Sequence, residues 1–279
     1  SIVGIYARPV CVEVHLSFGL PGFSIVGLPE TAVKESRDRV RSAIINSQYD
    51  FPYHKITVNL APADLPKAGS GFDLPIALGI LAASGQIPPD SLANHEFIAE
   101  LALNGQLRGV PGVIPAVIAA RKEHQTLIIA QESAQEASLV GKDQVFCAHN
   151  LRQICGYLTQ KATLDPPPDL PVNIPLDHEL DFSDVRGQQQ AKQALTIAAA
   201  GGHNVLLYGP PGSGKTMLAK RFATILPELN QDQALESAAI HSLQGRIPDF
   251  AVWRNPTFRA PHHTASPAAL VGGGNPPRP

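Results

Sequence analysis

At 279 residues the chain exceeds the roughly 100 to 200 residues of a typical domain, so two domains are expected. Its formal net charge of −2 is close to neutral, no apolar run approaches the roughly 18 to 20 residues that cross a bilayer, and the first residues lack the pattern of a signal peptide. Three scattered cysteines without a CxxC pair argue against a disulfide framework or a zinc site, so a cytoplasmic protein without membrane contact is predicted.

The first predicted elements belong to a mixed α/β domain, which we place at residues 1–162. Residues 10–16 and 56–60 alternate apolar and other side chains with a period of two, as half-buried strands do. Between these strands, apolar and small residues recur at the spacing of one helix face: Val33, Ser36, Val40 and Ile44. Further along, the dipeptide Asn104-Gly105 predicts a hairpin with a tight type I′ turn.

A proline-rich acidic stretch follows this domain. Prolines recur through residues 165–175, and each one lacks an amide N–H and fixes its own φ, which excludes a helix or a central strand. Residues 165–184 also contain acidic side chains but no lysine or arginine. We therefore predict a semi-rigid linker at residues 163–181 and a second domain at residues 182–279.

The second domain contains a glycine-rich loop in a distinctive setting. A helix is predicted from about residue 188 to 200, a short apolar strand at residues 204–208, and another helix at about residues 217–226. The order strand, loop, helix is the context that a Walker A phosphate-binding motif requires. All eight positions of the motif match: Gly209, Pro210, Pro211, Gly212, Ser213, Gly214, Lys215 and Thr216.

This loop has the chemistry of a triphosphate cradle. Its glycines permit positive φ and let backbone N–H groups approach phosphate oxygens at the start of a helix. Lys215 is positioned in the motif to reach the β and γ phosphates, and the hydroxyl of Thr216 can bind a Mg²⁺ ion. The predicted cofactors are thus ATP and Mg²⁺, with Thr216 as the metal ligand.

Hydrolysis requires, in addition, an acidic residue that follows an apolar strand and helps to hold Mg²⁺ and the attacking water. The acids after Thr216 are Glu228, Asp232, Glu236 and Asp249, and none of them follows a run of four apolar residues. The predicted set of catalytic residues is therefore empty. We expect a fragment of a longer protein that binds ATP without turning it over.

Several segments together resemble the YifB/ComM group of magnesium-chelatase-like AAA+ ATPases. Besides the Walker loop, the matching segments begin at Gly27-Leu28-Pro29-Glu30, Val40-Arg41-Ser42-Ala43, Asn59-Leu60-Ala61-Pro62, Phe72-Asp73-Leu74-Pro75 and Phe258-Arg259-Ala260-Pro261. The resemblance covers essentially the whole chain. It implies a Lon-protease-like mixed α/β domain followed by a truncated P-loop AAA+ α/β domain, whose Mg²⁺-binding acid lies beyond residue 279.

The same resemblance implies a function. It implies a homo-hexameric motor that acts on single-stranded or branched DNA, with branch migration during recombination and natural transformation as its role. Val185 and Gln188 lie in a segment similar to the one that packs against adenine in AAA+ proteins. A plain helix entry explains that segment equally well.

Three alternatives remain beside this interpretation. A magnesium-chelatase motor subunit shares the AAA+ part of the resemblance. A Lon-like protease is disfavoured, because Gly71 and Ile114 occupy the positions of the serine and lysine of the Lon dyad. The first domain either binds DNA or only supports a ring. Lys34, Arg37 and Arg41 share a helix face that would suit phosphates, although acids on the same helix favour a solvated, salt-bridged face.

Overall fold

The computed structural model of the protein describes residues 1–169, 180–245, 250, 252–267, 270 and 272–273. The chain divides into two compact units. The first comprises residues 1–170 and 238–247, and the second comprises residues 171–237 and 248–279. The architecture is mixed α/β, as the sequence predicts.

The strands and helices have the following bounds. The strands are β1 (Ile2–Val3), β2 (Tyr6–Ala7), β3 (Cys11–Ser17), β4 (Gly22–Val26), β5 (Lys55–Ala61), β6 (His95–Ile98), β7 (Glu100–Leu101), β8 (Leu107–Arg108), β9 (Thr126–Ala130) and β10 (Val145–Ala148). The helices are α1 (Thr31–Lys34), α2 (Ser36–Asn46), α3 (Asp73–Ala83), α4 (Val113–Lys122), α5 (Ala134–Ser138), α6 (Leu151–Leu158), α7 (Gln189–Gly201), α8 (Lys215–Phe222) and α9 (Gln231–Leu243). Within the described ranges, none of these helices has the length and apolarity needed to cross a membrane.

The first unit is built on two three-stranded sheets. In one sheet β5 lies in the centre, antiparallel to β3 and parallel to β4. The predicted alternation of β5 is confirmed, because Ile56, Val58 and Leu60 are buried while the residues between them are partly exposed. Helix α3 packs on β3 of this sheet, and α2 packs on α3. The predicted inward face of the first helical region is confirmed by the burial of its residues: Val33, Ser36, Val40 and Ile44.

The second sheet of this unit is fully parallel, with β9 between β6 and β10. Its central strand contains a continuous apolar run at residues 127–130, all of it buried. Parallel strands need crossover connections, and α4 and α5 supply them between β6, β9 and β10.

The hairpin at Asn104-Gly105 exists, but its turn differs from the predicted type I′. Strands β7 and β8 are antiparallel, the Gly105 N–H donates to the Ala102 carbonyl at 2.9 Å, and Gly105 has φ +83° whereas Asn104 is not in the left-handed region. This is a type I turn closed by a left-handed glycine, because a type I′ turn needs positive φ at both central positions. Gly105 is required here, since a Cβ would lie 2.2 Å from the Ser47 hydroxyl oxygen.

A buried ion pair joins α2 to the start of α3. The guanidinium of Arg39 donates to both carboxylate oxygens of Asp73 at 2.6 and 3.0 Å, and the Asp73 side chain is completely buried. The Leu101 N–H donates to the same carboxylate at 3.2 Å. Burial raises the pKa of the Asp73 carboxyl, and its bonds with Arg39 oppose that change. The pair therefore fixes α2, α3 and β7 relative to one another.

The first unit extends past its predicted boundary at residue 162. Leu164 is buried, Cys147 and Asp165 form a backbone bridge, and Lys142 makes an ion pair with Asp169. The start of the predicted linker at residues 163–181 thus packs on this unit. Its prolines exclude a helix but do not prevent apolar contacts. Residues 170–179 of the predicted linker lie outside the described residues.

The cysteines provide a test of this core. Cys11 is exposed, whereas burial raises the pKa of both Cys147 and Cys155 to about 11. Because the thiolate is the reactive species, we expect a maleimide at neutral pH to modify Cys11 quickly and the other two only after unfolding. Intact-mass analysis should show one label on the native chain and three in denaturant; three labels on the native chain would contradict the packing described here.

In the second unit the strand predicted at residues 204–208 is not formed. These residues pair with no strand in the described part of the chain, and Leu206 and Tyr208 are exposed at 86% and 91%. A β-strand is stabilised by its neighbours, and the described residues of this unit contain no strand that could pair with it. The helices on either side are found close to their predicted positions, as α7 and α8.

Candidate nucleotide-binding site

The glycine-rich loop curves tightly before α8. Gly209, Gly212 and Gly214 have φ of +150°, +80° and +87°, in the region that residues with a Cβ rarely adopt. Gly214 is the N-cap of α8, so the loop runs directly into a helix N-terminus. No heavy atom lies within 4 Å of a Cβ built on Gly212, so the space on that side of the backbone is open. The predicted geometry of a phosphate cradle is present.

The backbone of this loop has unused hydrogen-bond donors. Among the described residues, the N–H groups of Gly212, Gly214, Lys215 and Thr216 have no hydrogen-bond partner. The first N–H groups of a helix cannot be satisfied within the helix, and the macrodipole gives that end a partial positive charge. Four such donors in five consecutive residues form a site for an anion with several oxygens.

The lysine of the motif lies folded over the loop. Its Nζ donates to the carbonyl oxygens of Gly209 and Pro210 at 2.9 and 2.8 Å and lies 3.4 Å from the Ser213 hydroxyl. No acidic side chain of the described residues pairs with Lys215, so its charge is free to meet that of a phosphate. Thr216 is exposed at the first turn of α8, where its hydroxyl is accessible to a metal ion.

The segment predicted to contact adenine packs beside the same helix. Val185 is 1% exposed and forms a small core with Leu195 and Leu218, so its side chain faces the protein interior. Gln188 is exposed at the start of α7 with φ +55°. The structure thus brings the segment to α8, and it leaves Gln188 rather than the Val185 side chain accessible to a ligand.

One contact of this region was not foreseen from the sequence. Asp184, at the end of a short 3₁₀ turn (Phe182–Asp184), makes an ion pair of 3.4 Å with Arg221 of α8. Arg221 lies six residues after Lys215 and is only 16% exposed. This pair and the Val185 core hold the segment against the helix that follows the loop. The only sequence signal was that residues 165–184 contain acidic side chains without lysine or arginine.

The described residues do not include a cluster of acidic side chains that could hold a metal ion at the loop. Glu228 pairs with Arg254 at 3.9 Å, and Asp249 lies outside the described residues. Within the described ranges no three His, Cys, Asp or Glu side chains are grouped as metal ligands would be. The Thr216 hydroxyl is the ligand that the motif predicts for Mg²⁺ at this loop. An ion there would share its remaining coordination sites with phosphate oxygens and water.

The positions aligned with the Lon dyad have apolar surroundings. A Cβ on Gly71 would lie 3.2 Å from the Ile98 side chain, and Ile114 is completely buried. Lys67 is also fully buried, and its ammonium donates to the Pro62 carbonyl. No serine and lysine side chains are paired among the described residues of the first unit, as a Ser-Lys protease would require.

A glycine-rich loop of this sequence, leading into a helix whose first N–H groups are free, defines the P-loop class of α/β proteins. Two sequence families match the chain: "Subunit ChlI of Mg-chelatase" over residues 12–133 and "Magnesium chelatase, subunit ChlI" over residues 181–279.

Individual relatives cover the whole chain. It is 53% identical over 281 residues to "Competence protein ComM" of Haemophilus influenzae and 52% identical over 280 residues to "Uncharacterized protein YifB" of Escherichia coli. An uncharacterized protein of Mycobacterium tuberculosis is 40% identical over 277 residues. These alignments include 99%, 100% and 99% of the chain, which spans 55% of the length of each relative. The chain belongs to the YifB/ComM family of magnesium-chelatase-like proteins.

Proposed function

We propose that this chain is the ATP-binding part of a cytoplasmic AAA+ motor that acts on DNA. The observation that carries the nucleotide-binding part is the row of unpaired N–H groups at Gly212, Gly214, Lys215 and Thr216. Such a row has no structural use within the loop, whereas phosphate oxygens would satisfy every donor in it.

The loop residues have separate tasks in this proposal. The backbone donors bind phosphate oxygens and fix their positions. Lys215 exchanges the carbonyls of Gly209 and Pro210 for phosphate oxygens, which carry a full charge and form stronger bonds with an ammonium. Thr216 offers its hydroxyl to Mg²⁺, which neutralises phosphate charge when bound. Gln188 is the accessible side chain of the segment proposed to contact the base.

The proposal that DNA is the partner is supported by sequence similarity to a relative with a known name. The relative from Haemophilus influenzae carries the name of a competence protein, and the 53% identity covers 99% of this chain and 55% of that relative. Competence is the uptake and use of external DNA, so an ATP-driven step on DNA during recombination, such as branch migration, fits the name and the loop together. In full length the protein is proposed to be a homo-hexamer, as AAA+ motors are.

Steady-state ATPase assays of the full-length protein with Mg²⁺ test this proposal. Single-stranded DNA, duplex DNA and a four-way junction should be compared at equal nucleotide concentration. We expect at least one of them, the junction above all, to stimulate turnover, and we expect the Lys215→Ala protein to show none. Turnover that is the same with and without every DNA would contradict the assignment of DNA as the partner.

The second candidate function is that of a magnesium-chelatase motor subunit. It is favoured by the descriptions of both matching families, which name subunit ChlI over residues 12–133 and 181–279. The two functions share the nucleotide site, so the loop cannot distinguish them. ATP turnover that ignores DNA but responds to a porphyrin-binding partner subunit would support the chelatase instead.

A further inference from the structure

A polar cleft in the first unit lies apart from the nucleotide loop. Its volume is about 350 Å³, and the residues that line it come from the end of α2, the turn between β7 and β8, and the start of α6. The lining residues are Asn46, Ser47, Gln48, Asn104, Gln106, Asn150 and Arg152. None of them is apolar or acidic, so a ligand in this cleft would meet polar and positively charged groups.

The hydrogen bonds of three amide side chains in the cleft use their oxygens. The side-chain oxygens of Asn104 and Asn150 accept backbone N–H groups at 3.0 and 2.9 Å, and that of Gln48 accepts the Arg152 guanidinium at 3.1 Å. These bonds fix the orientation of the three amides, because an N–H or guanidinium can bond only to the oxygen side. The NH₂ groups of these three amides bond to no described residue and so remain for a ligand.

Two further groups add to these donors. The first N–H groups of α6 are occupied at Leu151 and Gln153, by the Gly105 carbonyl and the Asn150 side chain, whereas that of Arg152 has no partner among the described residues. Ser47 is 8% exposed, and within the same described part of the chain its hydroxyl makes no hydrogen bond. This hydroxyl and the Arg152 N–H can therefore both bond to a ligand in the cleft.

The charge of the cleft narrows the class of ligand. Arg152 is its one cation, and it makes no salt bridge with any described residue. One cation among neutral donors matches a phosphodiester, which carries a single negative charge, better than a triphosphate. We propose that this cleft binds a backbone phosphate of DNA. The proposal rests on the proposed function, which makes DNA the partner of this protein.

Anisotropy titrations of a labelled single-stranded oligonucleotide with the full-length protein, over a series of salt concentrations, test the proposal. The Arg152→Gln protein should bind the oligonucleotide about tenfold more weakly than the wild type, because it lacks one charged contact. The slope of log K against log salt should fall in magnitude by about 0.7, the value for one phosphate contact on a single strand. Arg152→Lys should keep the slope, because it keeps the charge.

A control variant distinguishes the effect of this cleft from that of any other lost arginine. Arg8→Gln removes an exposed arginine that does not line the cleft, and it should leave affinity and slope as in the wild type. Equal slopes and affinities for wild type and Arg152→Gln would overturn the cleft assignment alone. Failure of the wild type to bind the oligonucleotide would overturn both the cleft and the DNA partner. A slope change in Arg152→Gln would support the cleft even if DNA fails to stimulate ATP turnover.

Discussion

Lys215→Ala is expected to weaken the binding of ATP about a hundredfold, which corresponds to about 3 kcal/mol for a charge-assisted contact with phosphate. In this structure the ammonium bonds to carbonyls of its own loop, and these contacts are weaker than those to an anion. The lysine is partly exposed, so its loss should leave the core around Leu218 intact.

Titration with a fluorescent ATP analogue in the presence of Mg²⁺ measures this effect. Lys220→Ala is the matched control, because Lys220 is an exposed lysine of the same helix and lies outside the loop. Its affinity should equal that of the wild type. Unchanged affinity in Lys215→Ala would show that the loop is not the nucleotide site.

Arg39→Gln is expected to destabilise the first unit by about 3 to 5 kcal/mol, because it leaves the carboxylate of Asp73 buried without its charged partner. Burial already raises the pKa of this carboxyl, so its ionisation opposes folding once Arg39 is absent. An acid with a raised pKa becomes less costly to bury as the pH falls. The variant should therefore lose less stability at low pH than at neutral pH.

Amide hydrogen exchange in α3, measured by mass spectrometry over a range of urea, reports this free energy of opening. Arg37→Gln is the control on the same helix, since Arg37 is 55% exposed and its nearest acidic oxygen, on Asp38, is 4.0 Å away. This substitution should change the free energy of opening by no more than about 0.5 kcal/mol. Adding Asp73→Asn to Arg39→Gln should recover part of the loss. If Arg39→Gln proved as mild as Arg37→Gln, the ion pair would not hold these elements together.

The parts that the sequence predicts well are those governed by local rules. The phosphate loop depends on three glycines and a lysine at fixed spacing, and each glycine is found in the positive φ region that this spacing implies. The alternation of β5 and the buried face from Val33 to Ile44 follow from periodicity, because one side of each element meets the core.

The parts that it does not predict depend on residues distant in sequence. Arg39 and Asp73 are 34 positions apart, and nothing near either one identifies its partner. The polar cleft combines single side chains from the regions of Asn46, Asn104 and Asn150, each of which resembles an ordinary turn residue on its own. Residues 204–208 have the composition of a strand, yet strand formation also requires a neighbour that local sequence cannot reveal.

The free N–H groups of the phosphate loop are the proposed binding site for a nucleoside triphosphate. Two-dimensional amide NMR spectra of the isotope-labelled chain, recorded with and without ATP and Mg²⁺, test it at the atoms concerned. We predict that ATP causes the largest chemical-shift changes at the amides of Gly212, Gly214, Lys215 and Thr216. The Lys215→Ala substitution should abolish these changes. If saturating ATP left the chemical shifts of these four amides unchanged, or changed only those of residues elsewhere in the chain, the loop would not be the nucleotide site.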